Sequence, residues 1–430
     1  ISPIPPARSR RIDTAITPPG SKSLTNRAVL LAALARGTST IRRPLLEADD
    51  ARRMLTAVQA LGATVTTNNA DLSITGVDGR WNVPAEGATL DLGNAGTATR
   101  FLAAAALLAD HPITIDGDAR MRQRPIGELA DALQRLGARV DWLADPNCPP
   151  LRITPPTTPP AAPTLEFGRT QSSQFLSALL LIAPWLPAGL TLRLAPDTTS
   201  ASYIRMTLTL LTRLGTGVNA TGDLSVVRVS HGPRTLAHPR PRGLPAFDTA
   251  IEPDASGATY FWTAAAILPG ARIAVRGLSD AALQGDAAYP HTLGRMGATV
   301  QVSTGEPTIP GAPPHEPSIA VRGPDRLDPI LADMRDMPDA VMSLAVACCF
   351  ARGHSVIRGV RTLRVKESDR VAALKAELAK LGVAVAEHPG DDDTITITPP
   401  PEGLDCRPDA PPVEFDTYRD HRMAMSLALL

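Results

Sequence analysis

The segment Pro19-Gly20-Ser21-Lys22-Ser23 opens an apolar helical run, and some tens of residues later a second helix closes at Leu61-Gly62-Ala63. Both halves of this design recur along the chain. The further openings are Asn94-Ala95-Gly96-Thr97, Ser172-Ser173-Gln174, Asp254-Ala255-Ser256-Gly257, Pro338-Asp339-Ala340 and Asp420-His421-Arg422, and the further closings are Leu136-Gly137-Ala138, Leu214-Gly215, Met296-Gly297-Ala298 and Leu381-Gly382. A period longer than that of solenoid repeats predicts a duplicated supersecondary unit, with six openings but only five closings.

The first copy shows what each unit contains. Alternating polar and apolar residues predict a strand over 11–17, and a helix begins at Ser21 and is stopped by Gly37. A strand over 38–41, a second helix from Asp49 to Gly62 and a hairpin over 64–75 follow. In the later copies we predict helices over 97–108, 124–136, 172–182, 203–214, 256–267, 285–296, 339–351 and 368–381, and strands over 113–115, 151–154, 190–194, 226–229, 273–275, 319–321, 355–357 and 394–398. The sixth copy contains only its first helix, from Asp420.

Two crossovers divide these repeats into two α/β domains. One is the turn Pro18-Pro19-Gly20, and the other is the Pro-rich segment over 232–245. We therefore predict a continuous domain over 20–248 with repeats one to three. A discontinuous domain over 1–19 and 249–430 holds repeats four to six and includes the N-terminal strand. Because ligands favour clefts between domains, we expect the site there.

Composition excludes several classes of function. The 430 residues include 43 basic and 43 acidic side chains, so the charge footprint of a nucleic-acid binder is missing. The apolar runs are too short to span a bilayer, and the first residues do not predict a signal peptide, because no apolar core follows the basic residues. The four cysteines lack metal-ligand spacing, and Cys348 and Cys349 are predicted to be buried free thiols. We expect a cytoplasmic protein without a metal or membrane partner.

Basic residues cluster near the helix starts, where backbone N–H groups favour anions. They are Lys22, Arg27, Arg100, Arg124, Lys366, Arg370 and Arg422, against few acids, chiefly Asp339 and Glu367. This pattern predicts a cationic cleft for small phosphate or carboxylate anions. Simpler readings stay open, because Asp339 after Pro338 is typical of an N-cap and the pair Ser172-Ser173 is also a plain cap.

Taken together, the motifs resemble the 5-enolpyruvylshikimate-3-phosphate synthase family over nearly the whole chain. They are Gly20-Ser21-Lys22-Ser23 with Arg27, Gly93-Asn94-Ala95-Gly96-Thr97, Arg120-Met121-Arg122-Gln123-Arg124-Pro125-Ile126, Ser172-Ser173-Gln174-Phe175, Arg364-Val365-Lys366-Glu367-Ser368-Asp369-Arg370 and Asp420-His421-Arg422-Met423-Ala424-Met425. The resemblance implies two domains of three βαβαββ units each. It implies transfer of the enolpyruvyl group of phosphoenolpyruvate to the 5-hydroxyl of shikimate 3-phosphate, by a monomer that needs no cofactor.

The same resemblance assigns roles to individual residues. For catalysis it implies Asp339 as base, Glu367 at the methylene carbon, and Lys22 and His421. For shikimate 3-phosphate it implies Lys22, Ser23, Arg27, Ser172, Ser173, Gln174, Ser200, Tyr203, Asp339 and Lys366. For phosphoenolpyruvate it implies Lys22, Asn94, Gly96, Arg124, Gln174, Arg370, His421 and Arg422.

Departures from the family pattern raise alternatives. Thr362 stands where many relatives have Asn, and Ala201-Ser202 precede Tyr203 where a basic residue and Pro are common. The family's Lys-Thr-Phe-Pro segment after Met425 is absent, so we expect weak phosphoenolpyruvate binding and exposed apolar surface over 423–430. One alternative is a catalytically silent anion binder. The other is UDP-N-acetylglucosamine enolpyruvyl transferase, although the loop over 118–124 lacks its Cys and Ser23 replaces its Asn.

Overall fold

The structure is a computed structural model that describes residues 12–158, 163–196, 200–230, 243–305, 316–407 and 409–430. Most of the predicted crossover over 232–245 lies outside these residues, as does the start of the strand predicted over 11–17. In the described ranges, no helix combines the length and the apolar character that crossing a membrane requires.

The helices and strands alternate as the repeats predict. Up to residue 75 they are β1 Asp13–Ile16, α1 Lys22–Leu34, β2 Thr38–Arg42, α2 Asp49–Ala60, β3 Thr64–Asn68 and β4 Asp71–Thr75. Then come β5 Ala88–Asp91, α3 Gly96–Ala105, β6 Ile113–Asp116, α4 Gly127–Arg135, β7 Arg139–Trp142 and β8 Leu151–Thr154. The next are β9 Thr164–Phe167, α5 Ser173–Ile182, β10 Leu190–Leu194, α6 Ala201–Arg213, β11 Val218–Ala220, β12 Val226–Val229 and β13 Asp248–Ala250.

The remaining elements continue the pattern to the end of the chain. They are α7 Ala255–Ile267, β14 Arg272–Arg276, α8 Tyr289–Arg295, β15 Thr299–Ser303, β16 Ser318–Arg322, β17 Leu331–Asp333, α9 Val341–Cys349, β18 Ser355–Arg358, α10 Arg370–Ala379, β19 Ala384–His388, β20 Asp391–Thr398 and α11 His421–Leu427.

The sheets share one strand order. In β5-β6-β8-β7, for example, β5 and β6 are parallel across the helix α3, while β8 pairs antiparallel with both β6 and β7. A helical crossover produces the parallel pair and a hairpin the antiparallel one. The order recurs in β11-β12-β10-β9 and β17-β18-β20-β19. The predicted repeat is therefore confirmed in five copies, although short strands such as β5 and β17 gave no recognisable sequence pattern.

The strands that lead into the first and fourth repeats are exchanged. Strand β1 pairs in parallel with β14 of the fourth repeat, whereas β13 pairs in parallel with β2 of the first. The chain accordingly divides into two compact units. We call Pro19–Glu252 the N-terminal unit, and Ile1–Pro18 with Pro253–Leu430 the C-terminal unit. The second boundary falls after Glu252 rather than after residue 248, because β13 belongs to the sheet of the first repeat.

The first helix of each repeat lies in the core of its unit. Helices α1, α3 and α5 are buried along nearly their whole length, and in the C-terminal unit α9 packs against both α7 and α11. The adjacent cysteines Cys348 and Cys349 are free thiols buried in α9, as predicted. The second helices bury only a stripe, which in α10 includes Val371, Leu374 and Leu378.

Two predictions about individual helices are wrong. The helix predicted over 124–136 begins only at Gly127, because Pro125 disfavours helical geometry at the residue before it and Arg124 has an extended ψ of 125°. The apolar surface expected over 423–430 is largely absent. Met423 and Leu427 pack into the core of the C-terminal unit, and the exposed residues of 423–430 are Met425 and Ala428.

Candidate active site

In the C-terminal unit, the guanidinium of Arg370 is the centre of a buried ion-pair cluster. Arg370 is only 1% exposed. Its Nε donates to Asp420 Oδ2 at 2.8 Å and its Nη2 to Asp420 Oδ1 at 3.2 Å. Nη1 donates to Asp339 Oδ1 at 3.2 Å, and Nη2 also donates to Glu367 Oε2 at 2.8 Å. Both predicted acid–base residues therefore contact the same cation.

Asp339 joins a second cation to this cluster. Arg422 Nη2 donates to Asp339 Oδ2 at 2.8 Å, so the carboxylate lies between two guanidinium groups. Burial opposes ionisation of Asp339, but the charges of Arg422, Lys366 and Arg370 outweigh it and hold its pKa far below the usual range. The N-cap alternative for Asp339 is wrong, because Asp339 lies inside the 3₁₀ turn Pro338–Ala340, and the N-cap positions of that turn and of α9 are Met337 and Ala340.

Local capping brings these cations to the helix starts. Asp369 caps α10 by accepting from the amide of Ala372 at 3.0 Å, and Asp420 caps α11 by accepting from the amide of Arg422 at 2.9 Å. The carboxylate of Asp420 therefore has two roles, because it caps α11 and also binds the guanidinium of Arg370. The sequence marked Asp420 as a helix start but gave no sign of this ion pair.

Asp286 is a neighbour of the cluster that sequence reasoning missed. Its carboxyl is buried and hydrogen-bonded to the hydroxyl of Ser256 at the start of α7. Burial, and then the negative charge of Asp339, raise the pKa of Asp286 to about 7, and the charge of Arg422 opposes this rise. The preceding Gln284 fixes the turn, because its side chain bonds the amide of Ala255 and the carbonyl of Pro253.

Three further residues of this unit bear on the predicted site. Lys366 is partly buried, and its charge acts on Asp339. His421 is the first residue of α11 and is exposed. Thr362 is buried in the 3₁₀ turn Arg361–Val365, and its hydroxyl has no hydrogen-bond partner among the residues that the structure describes.

In the N-terminal unit, Arg124 lies against the start of α3. Its Nη1 donates to the side-chain oxygen of Asn94 at 2.8 Å and to the carbonyl of Asn94 at 3.0 Å. A Cβ added to Gly96 would lie only 2.5 Å from Arg124 Nη2, so Gly96 leaves the space that the guanidinium occupies. The predicted phosphoenolpyruvate residues Asn94, Gly96 and Arg124 are therefore neighbours.

The start of α5 lies beside the start of α3. Gln174 Nε2 donates to Thr97 Oγ1 at 3.2 Å, which joins two of the predicted openings. Ser172 is the N-cap of α5 and accepts from the amide of Gln174, so the capping alternative holds for this hydroxyl. Ser173 is buried in the first turn of the helix.

Arg27 is a buried connector between three helices rather than an open cationic side chain. Its guanidinium donates to Thr207 Oγ1 at 2.8 Å, the carbonyl of Ser23 at 2.9 Å, Ser177 Oγ at 3.2 Å and the carbonyl of Tyr203 at 3.3 Å. Its Cζ also lies 5.2 Å from the centroid of the Phe101 ring. Burial lowers the pKa of Arg27 to about 10, so the group stays charged at neutral pH.

The other predicted residues of this unit lie at helix starts or within the packing. Lys22 begins α1, and its Nζ lies 3.5 Å from Asp50 Oδ1. Ser200 is buried before α6 in the left-handed conformation, with φ 54°. Arg100 is also buried, with Nη2 donating to the carbonyl of Pro125 at 2.9 Å. In the described ranges, no group of three or more His, Cys, Asp or Glu side chains could hold a metal ion.

Comparison with known proteins identifies the family. The sequence model of EPSP synthase (3-phosphoshikimate 1-carboxyvinyltransferase) matches residues 6–430. The chain belongs to the EPSP synthase family. Two curated relatives named 3-phosphoshikimate 1-carboxyvinyltransferase support this. The protein of Klebsiella pneumoniae is 40% identical over 423 residues, and that of Shewanella piezotolerans is 37% identical over 422. Each match covers 98% of this chain and 90% of the relative.

Solved structures agree with the fold of the EPSP synthase family. An EPSP synthase from Acinetobacter baumannii superposes with a TM-score of 0.74 at 25% identity, covering 99% of this chain and 90% of that one. The enolpyruvyl transferase NikO from Streptomyces tendae gives a TM-score of 0.70 at 20% identity, covering 98% and 88%. The predicted two-domain enolpyruvyl transferase architecture is thus confirmed.

Proposed function

We propose that this chain transfers the enolpyruvyl group of phosphoenolpyruvate to the 5-hydroxyl of shikimate 3-phosphate and releases phosphate. The observation that carries the proposal is the contact of Asp339 and Glu367 with one buried guanidinium, that of Arg370. This chemistry requires an acid and a base among cations, because an alcohol loses a proton while an enol gains one. The names of the curated relatives support the same reaction.

The proposed residues fall into two substrate sets. For shikimate 3-phosphate they are Lys22, Ser23, Arg27, Ser172, Ser173, Gln174, Ser200, Tyr203, Asp339 and Lys366. For phosphoenolpyruvate they are Lys22, Asn94, Gly96, Arg124, Gln174, Arg370, His421 and Arg422. Two hydrogen bonds support these sets. Arg124 donates to Asn94, and Gln174 donates to Thr97, the residue after Gly96. The burial of Arg27 favours a role through Ser23 and Tyr203, whose carbonyls it binds.

The reaction proceeds in two steps in this proposal. Asp339 accepts the proton of the 5-hydroxyl as its oxygen bonds to C2 of phosphoenolpyruvate, while Glu367 donates a proton to the methylene carbon. In the second step the Glu367 carboxylate takes a proton from the methyl group of the tetrahedral intermediate as the C–O bond to the phosphate breaks, which restores the carbon–carbon double bond. Arg370, Arg422 and Lys22 offset the charge of the departing phosphate.

Substrate binding would also change the basicity of Asp339. Between Arg370 and Arg422 its carboxylate has a low pKa and is therefore a weak base. An anion that binds these two guanidinium groups partly neutralises the positive charge that lowers the pKa of Asp339. The pKa of Asp339 then rises towards the range in which it accepts a proton. In this way the base becomes effective only when phosphoenolpyruvate is bound.

The remaining parts of the proposal concern the setting of the enzyme. We propose that the chain acts as a monomer in the cytoplasm, in the biosynthesis of aromatic amino acids, and that it uses no metal or organic cofactor. Its balanced charge, 43 basic against 43 acidic residues, favours small-molecule substrates over nucleic acid.

A phosphate-release assay with both substrates tests the proposal. We expect turnover by the unmodified chain, and Asp339→Asn should lower kcat by about 10²- to 10⁴-fold while shikimate 3-phosphate still binds. Asp333→Asn is the matched control, because Asp333 pairs with Arg335 on the surface of the same unit and should leave kcat unchanged.

Two results would contradict the proposed reaction. Calorimetric binding of both substrates without any phosphate release would favour the silent anion binder. Phosphate release with UDP-N-acetylglucosamine, but not with shikimate 3-phosphate, would favour the related transferase. A melting curve of Asp339→Asn distinguishes loss of chemistry from loss of folding.

A further inference from the structure

Glu377 is a buried carboxylate that the proposed reaction does not use. It lies on α10, is 2% exposed and binds three donors. Its Oε1 accepts from Tyr418 Oη at 2.8 Å, and its Oε2 accepts from the amide of Asp416 at 2.9 Å and from Lys380 Nζ at 2.6 Å. Two of these donors belong to the segment that precedes α11.

Residues 414–420, which we call the approach segment, have no regular secondary structure of their own. Tyr418 and Arg419 are consecutive residues in the left-handed conformation, each with φ 54°. This conformation is unfavourable for residues with a Cβ, and two in succession require support from outside the segment. The amide of Asp420 closes the turn by donating to the carbonyl of Thr417 at 2.8 Å.

Helix α10 holds the approach segment at both ends. Arg370 binds Asp420 at one end, and Glu377 binds Asp416 and Tyr418 at the other. Two helical turns separate Arg370 from Glu377, which places them on the same face of α10 and about 10 Å apart along its axis. Lys380 adds a third attachment, because its Nζ donates to the carbonyl of Glu414 at 3.0 Å.

The charge state of Glu377 agrees with this role. Burial raises its pKa, but the bonds from Lys380, Tyr418 and the amide of Asp416 outweigh burial and leave the pKa below its ordinary value. The hydrogen bond between Tyr418 and Glu377 raises the pKa of Tyr418 to about 12, so the phenol remains a donor. The contact therefore joins a carboxylate to a neutral hydroxyl at neutral pH.

We propose that Glu377 is a positioning residue, which fixes the approach segment so that α11 presents His421 and Arg422 to phosphoenolpyruvate. The inference rests on the proposed function, because it assumes that these two residues bind that substrate. In this proposal Glu377 acts without contacting substrate, and its effect passes through Tyr418 to the capping residue Asp420.

The variants Glu377→Gln and Tyr418→Phe test the proposal in the full chain. Both should raise the KM for phosphoenolpyruvate about tenfold and change the KM for shikimate 3-phosphate less than twofold. A merely structural role would lower the concentration of active enzyme, and so kcat, with both KM values unchanged. Glu387→Gln is the control, because it removes an exposed ion pair with Arg364 in the same unit and should change neither KM.

Amide hydrogen exchange gives a second readout that does not depend on turnover. In both variants we expect faster exchange over 416–425 and unchanged exchange in α9. Unchanged protection over 416–425, or equal changes in the two KM values, would overturn the positioning role. Absence of turnover by the unmodified chain would overturn the proposed function instead, and the exchange data would still decide whether Glu377 fixes the approach segment.

Discussion

Arg370 and Asp420 form a two-point ion pair that is closed to solvent, with Nε–Oδ2 at 2.8 Å and Nη2–Oδ1 at 3.2 Å. The pair joins the starts of α10 and α11, and the same carboxylate accepts from Ser368 Oγ at 3.0 Å. Because Asp420 also caps α11, one side chain sets both the position of Arg370 and the direction of the helix that carries Arg422. If Arg370 and Arg422 bind phosphoenolpyruvate as proposed, stability and substrate binding are coupled at this residue.

Asp420→Asn should destabilise the C-terminal unit by about 3–5 kcal/mol, because it leaves the charge of Arg370 buried with one partner fewer. Asn retains the capping oxygen, so the loss reports the ion pair rather than the cap. Urea unfolding measures the change, and the exposed pair of Asp333 with Arg335 is the comparison, where Asp333→Asn should cost about 0–1 kcal/mol. Equal losses in the two variants would contradict the burial argument.

Gly96→Ala should displace the guanidinium of Arg124, since the added Cβ would lie 2.5 Å from Nη2. We expect the KM for phosphoenolpyruvate to rise about tenfold, equivalent to about 1.4 kcal/mol, and the KM for shikimate 3-phosphate to change little. Steady-state kinetics with each substrate varied in turn measures the difference. Gly222→Ala is the matched control, because no atom lies within 4 Å of its added Cβ. Unchanged kinetics in Gly96→Ala would show that Arg124 does not bind phosphoenolpyruvate.

Asp286→Asn should remove a pH dependence of stability. The folded protein keeps the Asp286 proton up to about pH 7, whereas the unfolded chain releases it near the ordinary value of 3.8. The native state therefore binds more protons between these values, and the free energy of unfolding falls as pH rises from about 4 to about 7.

Asn cannot titrate, so the Asp286→Asn variant should gain stability relative to the unmodified chain across this window, by a few kcal/mol at pH 8. Urea midpoints at pH 5, 6, 7 and 8 measure the gain. The charges of Asp339, Arg422 and Asp254 all affect the pKa of Asp286, and Asp339 and Arg422 are hydrogen-bonded to each other. Asp333→Asn should give a constant difference over the same range, because the pKa of Asp333 is lowered. A constant difference for Asp286→Asn would refute the assignment.

Arg27→Lys should destabilise the N-terminal unit by about 3 kcal/mol even though the charge is kept. Lysine cannot make the separate bonds to Thr207, Ser177 and the two carbonyls, and buried acceptors then lose their donors. Thermal unfolding measures the loss. Arg213→Lys offers a control, since Arg213 is exposed and its nearest carboxylate, Glu252, lies 3.8 Å away. A melting temperature unchanged by Arg27→Lys would rule out the connector role.

Several site residues could be predicted because their signals are local. The opening Asp420-His421-Arg422 marks a helix start by composition alone, and the side chain of Asp420 caps α11 as such a motif predicts. Pro125 is a local signal of the same kind, because it disfavours helical geometry at Arg124, which is extended although the predicted helix began there. The remaining partners could not be predicted, because Asp286, Glu377 and Tyr418 are ordinary helix and loop residues whose contacts come from distant parts of the chain.

The sequence by itself determined the repeated unit, since helix periodicity, caps and Leu-Gly closings depend on neighbouring residues. It also placed three of the predicted cations, Lys22, Arg370 and Arg422, at helix starts, although Arg124 lies before its helix. Only the tertiary structure decided which of them are neutralised by buried carboxylates and which, like Arg27, hold helices together. The reason is physical: burial and ion pairing depend on packing between elements tens of residues apart, and no local pattern records which partners that packing brings together.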